Sequence, residues 1–267
     1  MRQSIFFTHA NGFPTATYSK LLTPLSAVHD VHSLPMHGHD ARFPVDENWA
    51  SLVDELLFHL RQQPEPVWGV GHSLGGVLHL HAALREPERY RGLVMLDSPL
   101  LGTIDQWVIR AAKRMGFIDR ITPAGRTLGR KAVFDDAANA RDYFAAKTLF
   151  RHFDPQCLSD YVDHGFVADQ QGLRLSFDPD KEIAIFRHVP HTQPAPLNSL
   201  QVPLTVVRGR QSRVVMPHHL RAAKGLKRGA VRSMPGGHMF PLEQPLATAE
   251  LILQEMHRHT AEVAHAG

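Results

Sequence analysis

Short apolar runs recur along this chain, each separated from the next by a stretch long enough for a helix, and that alternation limits the fold more than any other feature. The runs are Ile5-Phe6-Phe7, Val31 to Met36, Val67 to Val70, Leu93 to Leu96, Leu204 to Val207 and Val231 to Met234. They are continuous rather than alternating, as expected of strands buried on both faces. Between them, Trp49, Leu52, Val53, Leu56, Leu57 and Leu60 recur at helical spacing from Asn48 to Gln63, with Asp46 placed to cap and Pro64 beyond the end. Val77 to Leu84 and Leu246 to about Val263 read as two more helices. Strand, crossover helix, next strand is the pattern of a parallel sheet covered on both faces, an α/β class.

The pattern is interrupted once. From Leu100 to Asn198 no strong strand run appears, and Trp107 to Met115 and Ala137 to Phe150 are the clearest helical stretches. This segment reads as an inserted helical cap (100–198) on a core made of residues 1–99 and 199–267. From Leu100 to Arg151 it carries ten Lys/Arg against five Asp. That excess reads as a solvated helical face, with an anionic-substrate or membrane-facing role as the alternative. Trp107, Phe117, Phe144, Phe150 and Phe153 read either as plain core or as the lining of an apolar pocket beneath the cap.

Composition narrows the function classes. The 267 residues are 43% hydrophobic and 21% charged, a globular balance that argues against disorder. The net charge of +3 comes without a basic stripe interleaved with aromatics, so no nucleic-acid partner is expected. Cys157 is the single cysteine, which excludes an intrachain disulfide and cysteine-based metal clusters. The apolar run near Met1 is too short for a signal-peptide core, and no stretch approaches the ~18 apolar residues of a membrane span. A cytoplasmic protein without stable membrane insertion is expected.

One motif carries chemistry. Gly71-His72-Ser73-Leu74-Gly75 matches G-x-S-x-G, and it sits between an apolar strand and a helix. A nucleophile on a strained strand-to-helix turn needs small neighbours two residues to either side, and the helix N-terminus behind it favours developing negative charge. Together with the loop His9-Ala10-Asn11-Gly12-Phe13-Pro14 and the segment Gly236-Gly237-His238-Met239-Phe240-Pro241, this elbow resembles the α/β-hydrolase superfamily over nearly the whole chain. The resemblance implies a serine-nucleophile member with a helical cap. Because the chain begins at what would be the third strand of such a fold, a mostly parallel sheet of six strands is expected.

The resemblance also implies roles. Ser73 is the expected nucleophile and His238 the general base; His72 and His9 read as structural. The acid is less direct, because Ser212 occupies the usual acid position in Gly209-Arg210-Gln211-Ser212. Some relatives supply the carboxylate from the strand after the elbow helix, which here ends at Asp97; the alternative is a weakened site or a non-hydrolytic task. For the oxyanion hole the resemblance implies the Leu74 amide and that of Asn11, or of Phe13 if the loop is shifted. His37-Gly38-His39-Asp40 invites a metal reading, but no second cluster at metal spacing follows it. The resulting expectation is a cofactor-free, metal-free serine esterase for small to medium acyl chains, acting on a small-molecule ester or thioester. The alternatives are a thioesterase, a C–C bond hydrolase of the same fold, or a slow-turnover ligand-binding protein.

Overall fold

The structure is a computed structural model, and it describes residues 2–170 and 172–264. The first half alternates as the apolar runs suggest: β1 (Ser4–Thr8), α1 (Ser19–Val28), β2 (Asp30–Ser33), α2 (Ala50–Leu60), β3 (Val67–His72), α3 (Leu74–Arg85) and β4 (Tyr90–Leu96). The inserted segment follows with α4 (Thr103–Arg114), α5 (Ile118–Ile121), α6 (Ala124–Thr127), β5 (Val133–Phe134), α7 (Ala137–Ala145), α8 (Pro155–His164), β6 (Phe166–Asp169), β7 (Gly172–Leu175) and α9 (Pro179–Arg187). The chain then returns through β8 (Leu204–Gly209), α10 (Pro217–Lys224), β9 (Gly229–Met234), α11 (Phe240–Glu243) and α12 (Pro245–Ala264).

Six strands form one all-parallel sheet in the order β2-β1-β3-β4-β8-β9. Every residue of β3 is buried, which is why its Val67-Trp68-Gly69-Val70 run lacks the alternation of a half-exposed strand. The chain moves outward from β1 to β2 and then crosses to β3 on the opposite side of β1. That reversal leaves a crevice at the carboxyl ends of β1 and β3, where α/β sheets place their ligands. One cluster of buried side chains, including Leu52, Leu56, Leu78 and Leu93, contains the α2 and α3 contacts with the sheet. The other, including Ile5, Leu21, Leu25 and Ile252, contains those of α1 and α12.

Two expectations need correction. The second strand stops at Ser33 instead of Met36, because Pro35 lacks the donor a parallel ladder needs. The segment 100–198 is helical, but it also holds a three-stranded antiparallel sheet in the order β5-β7-β6. Those strands are only two to four residues long, so their apolar stretches, Val133-Phe134 and Phe166 to Ala168, are too short to read as strand runs. Its helices start on strong local signals: Asp154 and Asp178 each accept a hydrogen bond from the amide two residues on, and Pro155 and Pro179 follow them at the first helical position.

Candidate active site

The elbow is built by crowding. A Cβ on Gly75 would lie 2.1 Å from the carbonyl oxygen of Thr8, and one on Gly71 would lie 2.3 Å from the backbone of Gly75. The turn between β3 and α3 therefore closes against β1 only with glycine at both positions. Ser73 sits at φ 53, ψ −112, a conformation that L residues adopt at a cost and that is stored where side-chain aim matters. Leu74 is the first residue of α3, so its amide has no intrahelical partner.

His238 lies in the turn between β9 and α11. Gly236, at φ 108, makes that turn possible. Glu243 accepts from the Gly237 amide at 3.0 Å, and Gln211 from the Gly236 amide at 2.7 Å. His238 Nδ1 is 2.8 Å from Asp97 Oδ2, which fixes the ring proton on Nδ1 and leaves Nε2 as the free lone pair. Asp97 is fully buried at the end of β4, also at positive φ. Its Oδ1 accepts from the Gly209 amide at 2.9 Å, and its Oδ2 also accepts from the Ser212 hydroxyl. Ser212 thus stands at the common acid position as a donor to the carboxylate. Sequence reasoning missed this role, because a serine there signals only the absence of an acid.

His72 couples the two loops that flank Ser73. The Ala10 amide donates to the Tyr18 hydroxyl at 3.2 Å, that hydroxyl lies 2.8 Å from His72 Nδ1, and His72 Nε2 donates to the His238 carbonyl at 2.9 Å. Burial, reinforced by the nearby His238, holds the His72 imidazole well below its usual range, so it stays neutral. His9 is also fully buried, with its pKa lowered to about 3 by burial and by His37. Its Nδ1 donates to the Ala10 carbonyl and its Nε2 accepts from the His37 amide, so it orders the loop. The Phe13 amide is already donated to the Ala10 carbonyl at 3.1 Å. Among the described residues no acceptor engages the Asn11 amide, while the Asn11 side chain donates to the Glu182 carbonyl at 2.9 Å.

Ser73, Leu74, Asn11 and His238 all line one cavity of about 1580 Å³. Of the five aromatic residues considered for a pocket, Phe144 and Phe150 reach it, whereas Trp107 is 71% exposed on the outer surface. Phe153 packs against Phe13 and Phe150 behind the wall. The cavity is not uniformly apolar. Arg120, Arg126, Lys147 and Arg213 line it, and Arg130 forms a nearly buried contact with Glu182 and the Tyr161 hydroxyl. Burial raises the Glu182 carboxyl above its usual range, although Arg130 opposes the shift. No local pattern marks this trio, since its members are far apart in sequence.

Neither histidine-rich spot is arranged for a metal. His37 Nδ1 pairs with Glu55, while His39 bonds the His37 carbonyl through Nδ1 and accepts the Asp178 amide at Nε2. Asp105, His218 and His219 do converge. However, His219 Nδ1 accepts the Met216 amide at 3.0 Å, which puts the ring proton on Nε2, 3.3 Å from Asp105 Oδ1. The cluster therefore ties α4 to α10 as a carboxylate–histidine latch.

A strained serine elbow on a parallel sheet, with a histidine after the last strand, defines the hydrolase class of α/β protein. The profile of the Alpha/beta hydrolase family matches residues 5–251, and the chain belongs to that family. It is 28% identical over 177 residues to the type I acyl-CoA thioesterase mpaH of Penicillium brevicompactum, covering 60% of this chain and 39% of that protein. It is 32% identical over 96 residues to the pimeloyl-[acyl-carrier protein] methyl ester esterase of Shewanella woodyi, covering 36% of each. The chain thus spans well under half the length of these curated relatives. Among solved structures, E-2-(acetamidomethylene)succinate hydrolase superposes with a TM-score of 0.75 at 20% identity, covering 95% of this chain and 91% of that one. The thioesterase domain from the curacin biosynthetic pathway gives 0.71 at 19% identity, covering 94% and 91%. These two similarities describe the fold.

Proposed function

We propose that the protein is a serine hydrolase that cleaves carboxylic esters or thioesters through an acyl-enzyme. The observation that carries this reading is the 2.8 Å hydrogen bond between His238 and the buried Asp97, in a cavity that Ser73 also lines. Ser73 Oγ attacks the substrate carbonyl while His238 Nε2 takes its proton. Asp97 holds the tautomer that makes Nε2 basic and stabilises the imidazolium that forms. The tetrahedral oxyanion is met by the amides of Leu74 and Asn11; the Phe13 amide is committed elsewhere. His238 then returns the proton to the departing alcohol or thiol, and a water activated by the same base releases the acid. Residues 100–198 serve as the cap that closes the acyl pocket.

The cations Arg120, Arg126, Lys147 and Arg213 favour a substrate with an anionic group, which supports a thioester of a phosphate-bearing carrier over a neutral ester. The Penicillium relative is named for acyl-CoA thioesters, in line with this reading, whereas the Shewanella relative is named for the methyl ester of a carrier-bound acyl group. A panel of p-nitrophenyl esters and acyl-CoA thioesters of graded chain length tests both levels. Turnover of either set, lost in Ser73→Ala, supports the hydrolase. A kcat/KM at least tenfold higher for acyl-CoA than for the matched ester supports the carrier thioester. Saturable binding without turnover identifies a ligand-binding protein instead.

A further inference from the structure

The outer face of α4 is unusual for a surface helix. Ile109 and Ala112 anchor it inward, whereas Ile104, Trp107 and Val108 project outward, joined by Met115 just past its end. Their spacing places all four on one stripe of the helix. Ile104, Trp107 and Met115 are 77%, 71% and 72% exposed. Ile121, at the end of α5, which packs against α4, and Leu128, just past α6, are exposed as well. Six of the twelve exposed large hydrophobic side chains among the described residues thus fall between positions 104 and 128. Scattered exposed hydrophobics need no explanation, but a contiguous patch marks an interaction surface.

The charges around the stripe are one-sided. Asp105 is held by His218 and Asp119 by Arg187, and Lys113 is paired with Glu47. The remaining charges are Arg110, Arg114, Arg120 and Arg126, all exposed and none paired with a carboxylate among the described residues. The face is therefore an apolar ridge rimmed by uncompensated arginine. Exposed aliphatic and tryptophan side chains beside uncompensated arginine match the acyl region and the phosphates of an anionic lipid surface together.

We propose that this face is a docking surface for an anionic lipid bilayer. Trp107, Ile104, Val108 and Met115 enter the headgroup–acyl boundary, and Arg110 and Arg114, which are outside the cavity lining, meet lipid phosphates. Docking is peripheral, because no described helix is long and apolar enough to cross a membrane. Arg120, Ile121 and Arg126 also line the cavity, so the docked face opens the cavity toward lipid. On the serine-hydrolase reading, the acyl substrate then arrives from the bilayer; the docking itself stands apart from that reading.

Trp107 is a built-in reporter, since Trp49 and Trp68 are buried. The full chain is titrated with vesicles of 1:1 phosphatidylglycerol and phosphatidylcholine, following tryptophan emission and co-sedimentation. A blue shift that salt weakens is expected, with binding about tenfold weaker to pure phosphatidylcholine. Ile104→Ser with Val108→Ser, and separately Arg110→Gln with Arg114→Gln, should each weaken binding by about tenfold while leaving the thermal transition in place. No binding to the anionic vesicles overturns the proposal, as does binding indifferent to lipid charge. A blue shift with an acidic helical peptide but not with vesicles overturns it in favour of a protein partner. A dimer in light scattering that Ile104→Ser with Val108→Ser abolishes assigns the stripe to a second copy. Ser73→Ala, assayed in parallel, separates the two readings: vesicle binding that survives without any ester turnover in the parent chain upholds docking and removes the hydrolase.

Discussion

Replacing Asp97 by asparagine isolates the charge of the acid from its shape. The Gly209 amide donates to Asp97 Oδ1 at 2.9 Å and, as part of the backbone of β8, cannot turn away. The asparagine oxygen must therefore stay on Gly209, and its NH₂ takes the place of Oδ2, facing the Ser212 hydroxyl and His238 Nδ1. Ser212 accommodates this by accepting instead of donating. His238 accommodates it only by accepting at Nδ1, which moves the ring proton to Nε2 and leaves nothing to take the proton of Ser73. Restoring the productive tautomer sets two donors against each other in a buried site. That forfeits a charge-assisted hydrogen bond of about 1.5–3 kcal/mol and orphans a donor at a cost of about 1–3 kcal/mol. The sum, about 2.5–6 kcal/mol, corresponds to a fall in kcat of roughly 10²–10⁴-fold, its upper end in line with loss of a triad acid elsewhere. In the unproductive tautomer the Ser212 hydroxyl proton is the donor left without its acceptor, so stability should fall by about 1–3 kcal/mol. Steady-state hydrolysis of the best ester or thioester, beside urea denaturation, reads both quantities. A folded Asp97→Asn enzyme within tenfold of the parent kcat would refute the assignment.

Ser212→Ala removes a donor to Asp97 and the acceptor of the Val214 amide, so a loss of about 2 kcal/mol in urea denaturation is expected; an unchanged midpoint would show the contact to be idle. Gly75→Ala drives a methyl group into the Thr8 carbonyl, which should cost about 3 kcal/mol and abolish turnover, whereas a stable, active variant would show that the elbow is looser than described. Burial keeps His9 and His79 neutral down to about pH 3 and His81 to about pH 4. The unfolded chain binds protons at these groups from about pH 6.5 downward while the folded chain does not, so each contributes stability above pH 6.5 that is lost as pH falls. By pH 5 the loss is about 2 kcal/mol for each, and a denaturation midpoint that is flat from pH 7 to pH 5 would contradict it.

The sheet was readable because its strands are buried on both faces and leave continuous apolar runs, as in Val67 to Val70 and Leu93 to Leu96. Gly71 was readable for a local reason, since a side chain there would strike the backbone of Gly75 four residues on, whereas the approach of Gly75 to Thr8 joins the start of α3 to β1, far away in sequence. What escaped depends on contacts between distant residues. Ser212 acts through Asp97, more than a hundred residues away, and nothing near it announces that bond. Arg130, from the loop before β5, meets Tyr161 of α8 and Glu182 of α9, all far apart in sequence. The strands β5, β6 and β7 are too short to impose a period. Trp107 shows the limit of apolar patterning in another way: α4 has an apolar stripe on two sides, and only packing decides that Ile109 and Ala112 face inward.

The central claim is that Ser73 forms a covalent acyl-enzyme with His238 as its base. Incubating the full chain with a fluorophosphonate and digesting it for mass spectrometry tests this directly. The phosphonyl group is expected on the peptide containing Ser73, at a rate reduced at least a hundredfold in His238→Ala and with no labelling in Ser73→Ala. A folded protein that remains unlabelled after long exposure, or one labelled at another residue, would contradict it.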